Sequence, residues 1–141
     1  MVNRRSGLAL LCAAGVLGLC VVTAAREKAP DAYVKAMKDI NAANMALRGH
    51  VTAKDYEAIA KDAAAFKDPL EAGAKFWEAR KDAEAAGWAR AALKAAGELE
   101  AAAKAKNDEA IATSSRAVSG SCRTCHMAHR QQNPDGSYEI K

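Results

Sequence analysis

Strong helix-forming residues fill the chain from residue 26 to residue 141 with few interruptions. Alanine dominates this region, leucine, lysine and glutamate recur, and β-branched residues are sparse. Such a composition favours α-helix. No stretch alternates between apolar and polar residues, so the sequence predicts no strand. We therefore expect one all-α domain, since the region has the length of a single domain.

Turn-forming residues divide this region into four helical segments. Gly49 is a typical helix end, the pattern Thr52 to Asp55 is typical of a capping box, and Asp68-Pro69 interrupts the next segment. The predicted helices cover approximately residues 31–48, 52–66, 82–106 and 108–132. The sequence does not decide whether the stretch around Phe76 and Trp77 is a loop or a short helix. Short connections between long helices predict an antiparallel four-helix bundle.

The predicted inner faces consist largely of alanine, and aromatic residues make up only 5% of the chain. Alanine faces let helices approach closely but bury little apolar area. A large apolar group enclosed between the helices would supply the missing core.

Residues 1–25 follow the layout of a secretory signal peptide. A basic start at Arg4 and Arg5 precedes the uncharged stretch Leu8 to Val22, and small residues follow at Thr23 to Ala25. An uncleaved membrane anchor is the alternative, because the stretch approaches the length that spans a bilayer. Lipidation at Cys20 is disfavoured by the bulky Leu19 before it. We expect the domain 26–141 to be exported to the periplasm.

The exported domain is close to electrically neutral. Removing residues 1–25 leaves 19 basic against 17 acidic residues, a net charge of +2. A nucleic-acid binder would show a concentrated basic face. We therefore expect no nucleic-acid partner.

The segment Cys122-Arg123-Thr124-Cys125-His126 carries the most specific chemistry in the sequence. Cys12 and Cys20 lie in the predicted signal, so these are the two cysteines of the exported domain. Two thiols separated by two residues can reach the two vinyl groups of a haem, and a histidine directly after them can bind the iron. The motif predicts one covalently bound haem c attached through Cys122 and Cys125, with His126 as an axial ligand.

Two other uses of such a motif are weaker. A zinc knuckle needs a second pair of ligands, and His50 and His129 do not form one. A thioredoxin-like dithiol would stand beside a strand in a βαβ unit, and none is predicted.

A haem motif in the last of four helices resembles the class II cytochromes c, which comprise the cytochrome c′ family and its low-spin relatives. The ordering of elements is similar over the whole exported domain, and the motifs are similar in two places. In the first, Arg130 matches an arginine that often follows the histidine by four residues, although His129 stands where an aromatic residue is usual. The resemblance implies that Arg130 contacts the haem.

The second place is the first helix, in which the family carries a residue that points at the iron from the other side of the ring. Aligning Tyr33 to Lys38 with that segment puts Met37 at this position, although Tyr33 replaces a common arginine. The resemblance implies Met37 as the distal iron ligand. Met45, His50 and an open sixth site are the alternatives, and His129 is expected at the surface or at the propionate edge.

The leading functional expectation is a periplasmic electron carrier that exchanges electrons with redox partner proteins and is not an enzyme. A five-coordinate cytochrome c′-like binder of nitric oxide or carbon monoxide is the first alternative. A haem subunit of a membrane redox complex is the second, and it requires retention of the signal segment. The sequence leaves open whether two subunits pair.

Overall fold

The computed structural model describes residues 26–141, so the predicted signal peptide, with Cys12 and Cys20, lies outside the described residues. Within them the chain forms five helices: α1 (Asp31–Ala53), α2 (Tyr56–Ala65), α3 (Lys67–Ala79), α4 (Ala83–Lys104) and α5 (Asp108–His129). Only Phe66 separates α2 from α3, so the two form one interrupted rod. The architecture is that of a four-helix bundle, as the sequence predicts.

The interruption at Phe66 follows from Pro69, which lies in the first turn of α3. Proline has no amide hydrogen to donate to Ala65, and its ring crowds that carbonyl group. The Phe66 side chain is completely buried in the main core. Phe76 and Trp77 accordingly belong to a full helix of 13 residues rather than to a loop.

The first helix is longer than predicted, because α1 continues through Gly49 to Ala53. The predicted capping box at Thr52 is therefore wrong: the Thr52 hydroxyl bonds the carbonyl of Arg48 inside α1. The residue that caps α2 is Asp55, whose carboxylate accepts a hydrogen bond from the Ala58 amide.

Three of the helix connections have the same backbone conformation. A lysine in the left-handed conformation ends each helix, at Lys54, Lys81 and Lys106, with φ of 55°, 60° and 53°. The next residue, Asp55, Asp82 or Asn107, caps the following helix through its side chain. Each pair of amides also bonds carbonyls of the preceding turn, which is the Schellman pattern. These two-residue turns fold the rods back on one another.

The expectation of no strand is wrong. Three short strands, β1 (Glu27–Lys28), β2 (Arg130–Gln132) and β3 (Tyr138–Ile140), form an antiparallel sheet in the order β1-β3-β2. The predicted last helix consequently ends at His129 rather than near residue 132. Such short strands carry no detectable alternation, which is why the sequence does not reveal them.

Two groups of buried side chains hold the bundle together. The larger draws side chains from all five helices, and its fully buried large side chains are Ile59, Phe66, Leu99 and Val118. The smaller lies at the sheet and contains Ala29, Trp77, Ala85, Ala86 and Ile140. Most other buried positions are alanine, as the sequence predicts. Among residues 26–141 no helix is long and apolar enough to cross a membrane.

Candidate functional site

The bundle is not closed between its first and last helices. Within the described residues, α4 packs closely on α5 and both α2 and α3 pack on α1, whereas α1 and α5 make hardly any close backbone contact. A cavity of about 550 Å³ occupies the space between α1 and α5. Its floor is formed by side chains from α3 and α4, including Leu70, Trp77 and Trp88. This volume lies in the range of roughly 300–1,000 Å³ that is usual for small-molecule and cofactor sites.

The five residues of the leading haem-site prediction all line this cavity. Cys122, Cys125 and His126 line it from α5, Arg130 from the end of that helix, and Met37 from α1. Cys122 and Cys125 are three residues apart in the helix, so they lie on one face. Met37 and the cysteine motif thus stand on opposite walls of one cavity.

Burial keeps the motif in its uncharged forms. Desolvation raises the pKa of the Cys122 thiol, and it raises the pKa of the Cys125 thiol to about 11. Desolvation, followed by the charge of Arg130, lowers the pKa of His126. At neutral pH the imidazole of His126 is therefore neutral, with a nitrogen lone pair available to a metal ion.

The burial of the two thiols and their raised pKa values do not suit a dithiol redox centre. A reactive thiolate needs a lowered pKa, which commonly comes from a helix N-terminus or a neighbouring cation. Cys122 and Cys125 lie instead in the last two turns of α5, where the helix dipole is negative. Within residues 26–141 neither cysteine forms a disulfide. Across residues 26–141, no three His, Cys, Asp or Glu side chains come together as a metal site.

The alternative iron ligands lie elsewhere. Met45 is 68% exposed and does not line the cavity. His50 is near the other end of α1, where its Nδ1 atom lies 2.6 Å from Oδ2 of Asp62. Met37 is half-buried, and its terminal methyl lies 3.5 Å from the point at which a Cβ on Gly73 would stand. A Cβ at position 73 would thus make an ordinary van der Waals contact with Met37.

Of the two positions expected for His129, the surface is wrong, and the propionate edge stays a prediction. Its side chain is only 18% exposed, and its ring lies 4.7 Å from the ring of Trp77 and 5.7 Å from that of Trp88. The helix turns this residue inward, where it supplies packing that an aromatic residue would also supply, and it lines a second pocket together with Cys125 and His126. Its Nε2 atom is buried without a hydrogen-bond partner.

Sequence reasoning missed two parts of the site. The Tyr33 hydroxyl accepts a hydrogen bond of 3.1 Å from Nε1 of Trp77, which makes Tyr33 part of the cavity wall. The C-terminal strand β3 brings Tyr138 to the cavity, where its ring lies 4.3 Å from the guanidinium carbon of Arg130. An aromatic residue one turn before Met37 is a signal that could have found Tyr33. Nothing local to the tail signals Tyr138.

No protein-family model matches this chain, and neither a curated protein nor a solved structure matches it.

Proposed function

We propose that this chain is an exported monohaem c-type cytochrome that transfers electrons. The observation that carries the proposal is the meeting of Cys122, Cys125 and His126 at one cavity, with Met37 on the opposite wall. The donor set fits a haem: two thiols one helical turn apart, an imidazole beside them, and a thioether across the space. The resemblance to the class II cytochromes c adds a family in which this arrangement is used.

Each residue has a distinct part in binding. The thiols of Cys122 and Cys125 would hold the ring covalently through thioether bonds to its vinyl groups. His126 would hold the iron through a nitrogen lone pair, and Met37, on the opposite wall of the cavity, would hold it through its thioether sulfur. Arg130 supplies a positive charge at the cavity wall for a propionate.

The bound iron supplies one-electron chemistry through its ferrous and ferric states. His126 and Met37 would hold the iron in both states, so that electron exchange would need little rearrangement of the chain. Leu70, Trp77 and Val118 give one part of the cavity an apolar wall. A methionine ligand favours the ferrous state and raises the potential relative to two histidines.

Covalent attachment is the decisive test. Protein purified from the periplasm should retain its haem in acidified organic solvent, whereas the Cys122→Ala/Cys125→Ala variant should release it. Ser121→Ala serves as a matched control, because it alters a neighbouring cavity residue without removing a thiol. Haem extracted from the unmutated protein by this solvent, or no haem at all, would refute the proposal.

The gas-binding alternative remains because the terminal methyl of Met37 packs towards Gly73. A Met37 held there would leave the sixth iron site open to nitric oxide or carbon monoxide. The spin state of the ferric protein separates the two functions: a low-spin spectrum supports the carrier, and a high-spin spectrum supports the gas binder.

Export and anchoring are tested by intact mass. We expect a periplasmic protein that begins at or near Arg26 and carries the mass of one haem. A mass that retains Leu8 to Val22, in a membrane fraction stable to high salt, would instead support the membrane redox subunit.

A further inference from the structure

Helix α5 carries an uncompensated row of arginines. Arg116 and Arg123 are seven residues apart in the helix, and Arg130 follows after another seven at its end. Seven residues make nearly two turns, so Arg116 and Arg123 lie on one stripe, roughly 10 Å apart along the axis. Between Glu109 and Asp135 the sequence contains no acidic residue. The positive charge of this segment is therefore not balanced along the helix.

Carboxylates from other parts of the described chain do not balance the positive charge of this row either. Arg80 bonds Glu27, and Arg90 bonds both Glu71 and Glu78. In contrast, none of the three arginines of the row forms an ion pair with a carboxylate of residues 26–141. Arg116 donates to the carbonyl of Ala112, and Arg130 lies over the ring of Tyr138.

The row borders the open side of the cavity. Arg123 and Arg130 line the cavity, as does Arg48 on the facing helix α1, and no Asp or Glu is among its lining residues. Between Arg123 and Arg130 the Met127 side chain is 67% exposed. Arginine and methionine are enriched in protein–protein interfaces, where an apolar centre is surrounded by polar groups.

We propose that the surface formed by Arg116, Arg123, Met127 and Arg130 docks an acidic face of a partner protein. Charge complementarity defines the partner: carboxylates spaced along about two helical turns would pair with the row, and an apolar side chain would cover Met127. The surface is too narrow for a nucleic-acid site, which needs a broad basic face. It also lacks the large apolar stripe with which an amphipathic helix enters a lipid surface.

The role of this surface in electron exchange rests on the proposed function, although binding itself does not. A partner docked here would stand over the open side of the cavity, which Cys122 and Cys125 also line. Charges arranged in this way also accelerate the encounter of two proteins, and salt reduces the effect.

The test uses poly-L-glutamate as the acidic probe and the purified, haem-loaded protein. We expect binding at low ionic strength that weakens strongly at about 0.15 M salt, where the screening length is about 8 Å. Arg116→Glu/Arg123→Glu should weaken binding by about tenfold or more, because each reversal replaces attraction with repulsion. Circular dichroism should show that the helices of the variant are intact.

Lys61→Glu/Lys75→Glu is the matched control, because it makes the same change of net charge on α2 and α3, which pack against α1 and α4. We expect it to change binding by less than about twofold, since these lysines are outside the docking surface. Equal losses in both variants would mean that only net charge matters and would overturn the proposal. Tighter, arginine-dependent binding to vesicles rich in phosphatidylglycerol would also overturn it, in favour of a lipid surface.

Failure of this proposal is distinguishable from failure of the proposed function. Covalent haem without arginine-dependent binding would refute the docking surface alone. Arginine-dependent binding by a chain without covalent haem would refute the cytochrome and leave the surface standing.

Discussion

Tyr33 is a cavity-wall residue whose pKa is changed by the folded protein. Burial raises its pKa to about 12, and the hydrogen bond from Trp77 opposes part of that rise. Because the folded protein holds the hydroxyl proton more tightly than the unfolded chain does, ionisation favours unfolding. The stability that Tyr33 contributes is complete below its ordinary pKa of 10.0 and is lost as the pH rises towards 12.

We predict a specific pH dependence from this shift. The unmutated protein should lose on the order of 2 kcal/mol of unfolding free energy between pH 9 and 12 through this group. Tyr33→Phe should be less stable at pH 7, since the Trp77 N–H loses its partner, but its stability should fall less steeply above pH 10. Denaturant unfolding at a series of pH values measures both. Parallel curves for the two proteins would contradict the prediction.

The two methionines of α1 give a second prediction at this scale. Met37→Ala should change the ferric protein from low-spin to largely high-spin and should increase its affinity for carbon monoxide, because the thioether ligand is gone. Met45→Ala should stay low-spin, since that side chain is exposed and does not line the cavity. Absorption spectra and carbon monoxide titration make the comparison. A high-spin unmutated protein would support the gas binder instead.

Single residues were predictable from the sequence where a motif fixes their chemistry. The cysteines, His126, Arg130 and Met37 meet at one cavity because two helices with known periodicity face each other. His129 was misjudged, because its inward orientation depends on where Trp77 and Trp88 pack. Such contacts between distant segments leave no mark in the local pattern.

At the scale of elements, the connections are the most regular feature. Lys54, Lys81 and Lys106 all adopt positive φ, a conformation that costs an L-residue roughly 1–2 kcal/mol. The strained conformation is present because the Schellman hydrogen bonds and the cap of the following helix turn the chain sharply at this point. Glycine would adopt the same conformation without it.

Lys106→Gly should therefore stabilise the protein by about 1 kcal/mol. Lys106 forms no ion pair within the described chain, so no charge interaction is lost. Ala91→Gly, at an exposed position inside α4, is the control and should destabilise by about 1 kcal/mol because the backbone there is helical. Thermal unfolding of the two variants gives the comparison. A destabilised Lys106→Gly protein would contradict the expected stabilisation.

The existence of the helices was easier to predict than their ends. Composition and periodicity identify the four rods, whereas the end of α1 moves past Gly49 because buried Leu47 and the Lys54 turn extend the helix. The strands depend on pairing between residues far apart in the chain, such as Glu27 with Ile140. Two- or three-residue strands have no periodicity from which such pairing could be inferred.

Across the whole molecule, the helices depend on what lies between them. Alanine fills about half of the buried positions, and α1 stands apart from α5 across the cavity. We predict that the haem-free Cys122→Ala/Cys125→Ala protein loses part of its helical circular dichroism. Its unfolding midpoint should fall by about 10 °C or more, which corresponds to about 3 kcal/mol in a domain of this size. Ser121→Ala should keep the midpoint of the unmutated protein, and an unchanged midpoint in the double variant would show that the bundle needs no insert.

The chain contains two tryptophans, and both stand in the wall of the cavity. Its entire indole fluorescence therefore originates within contact distance of whatever fills that space. A haem would absorb this emission by energy transfer, so a loaded molecule should be nearly dark and an empty one bright. Tryptophan fluorescence thus reports whether the cavity is occupied, and it can be measured during maturation without a label.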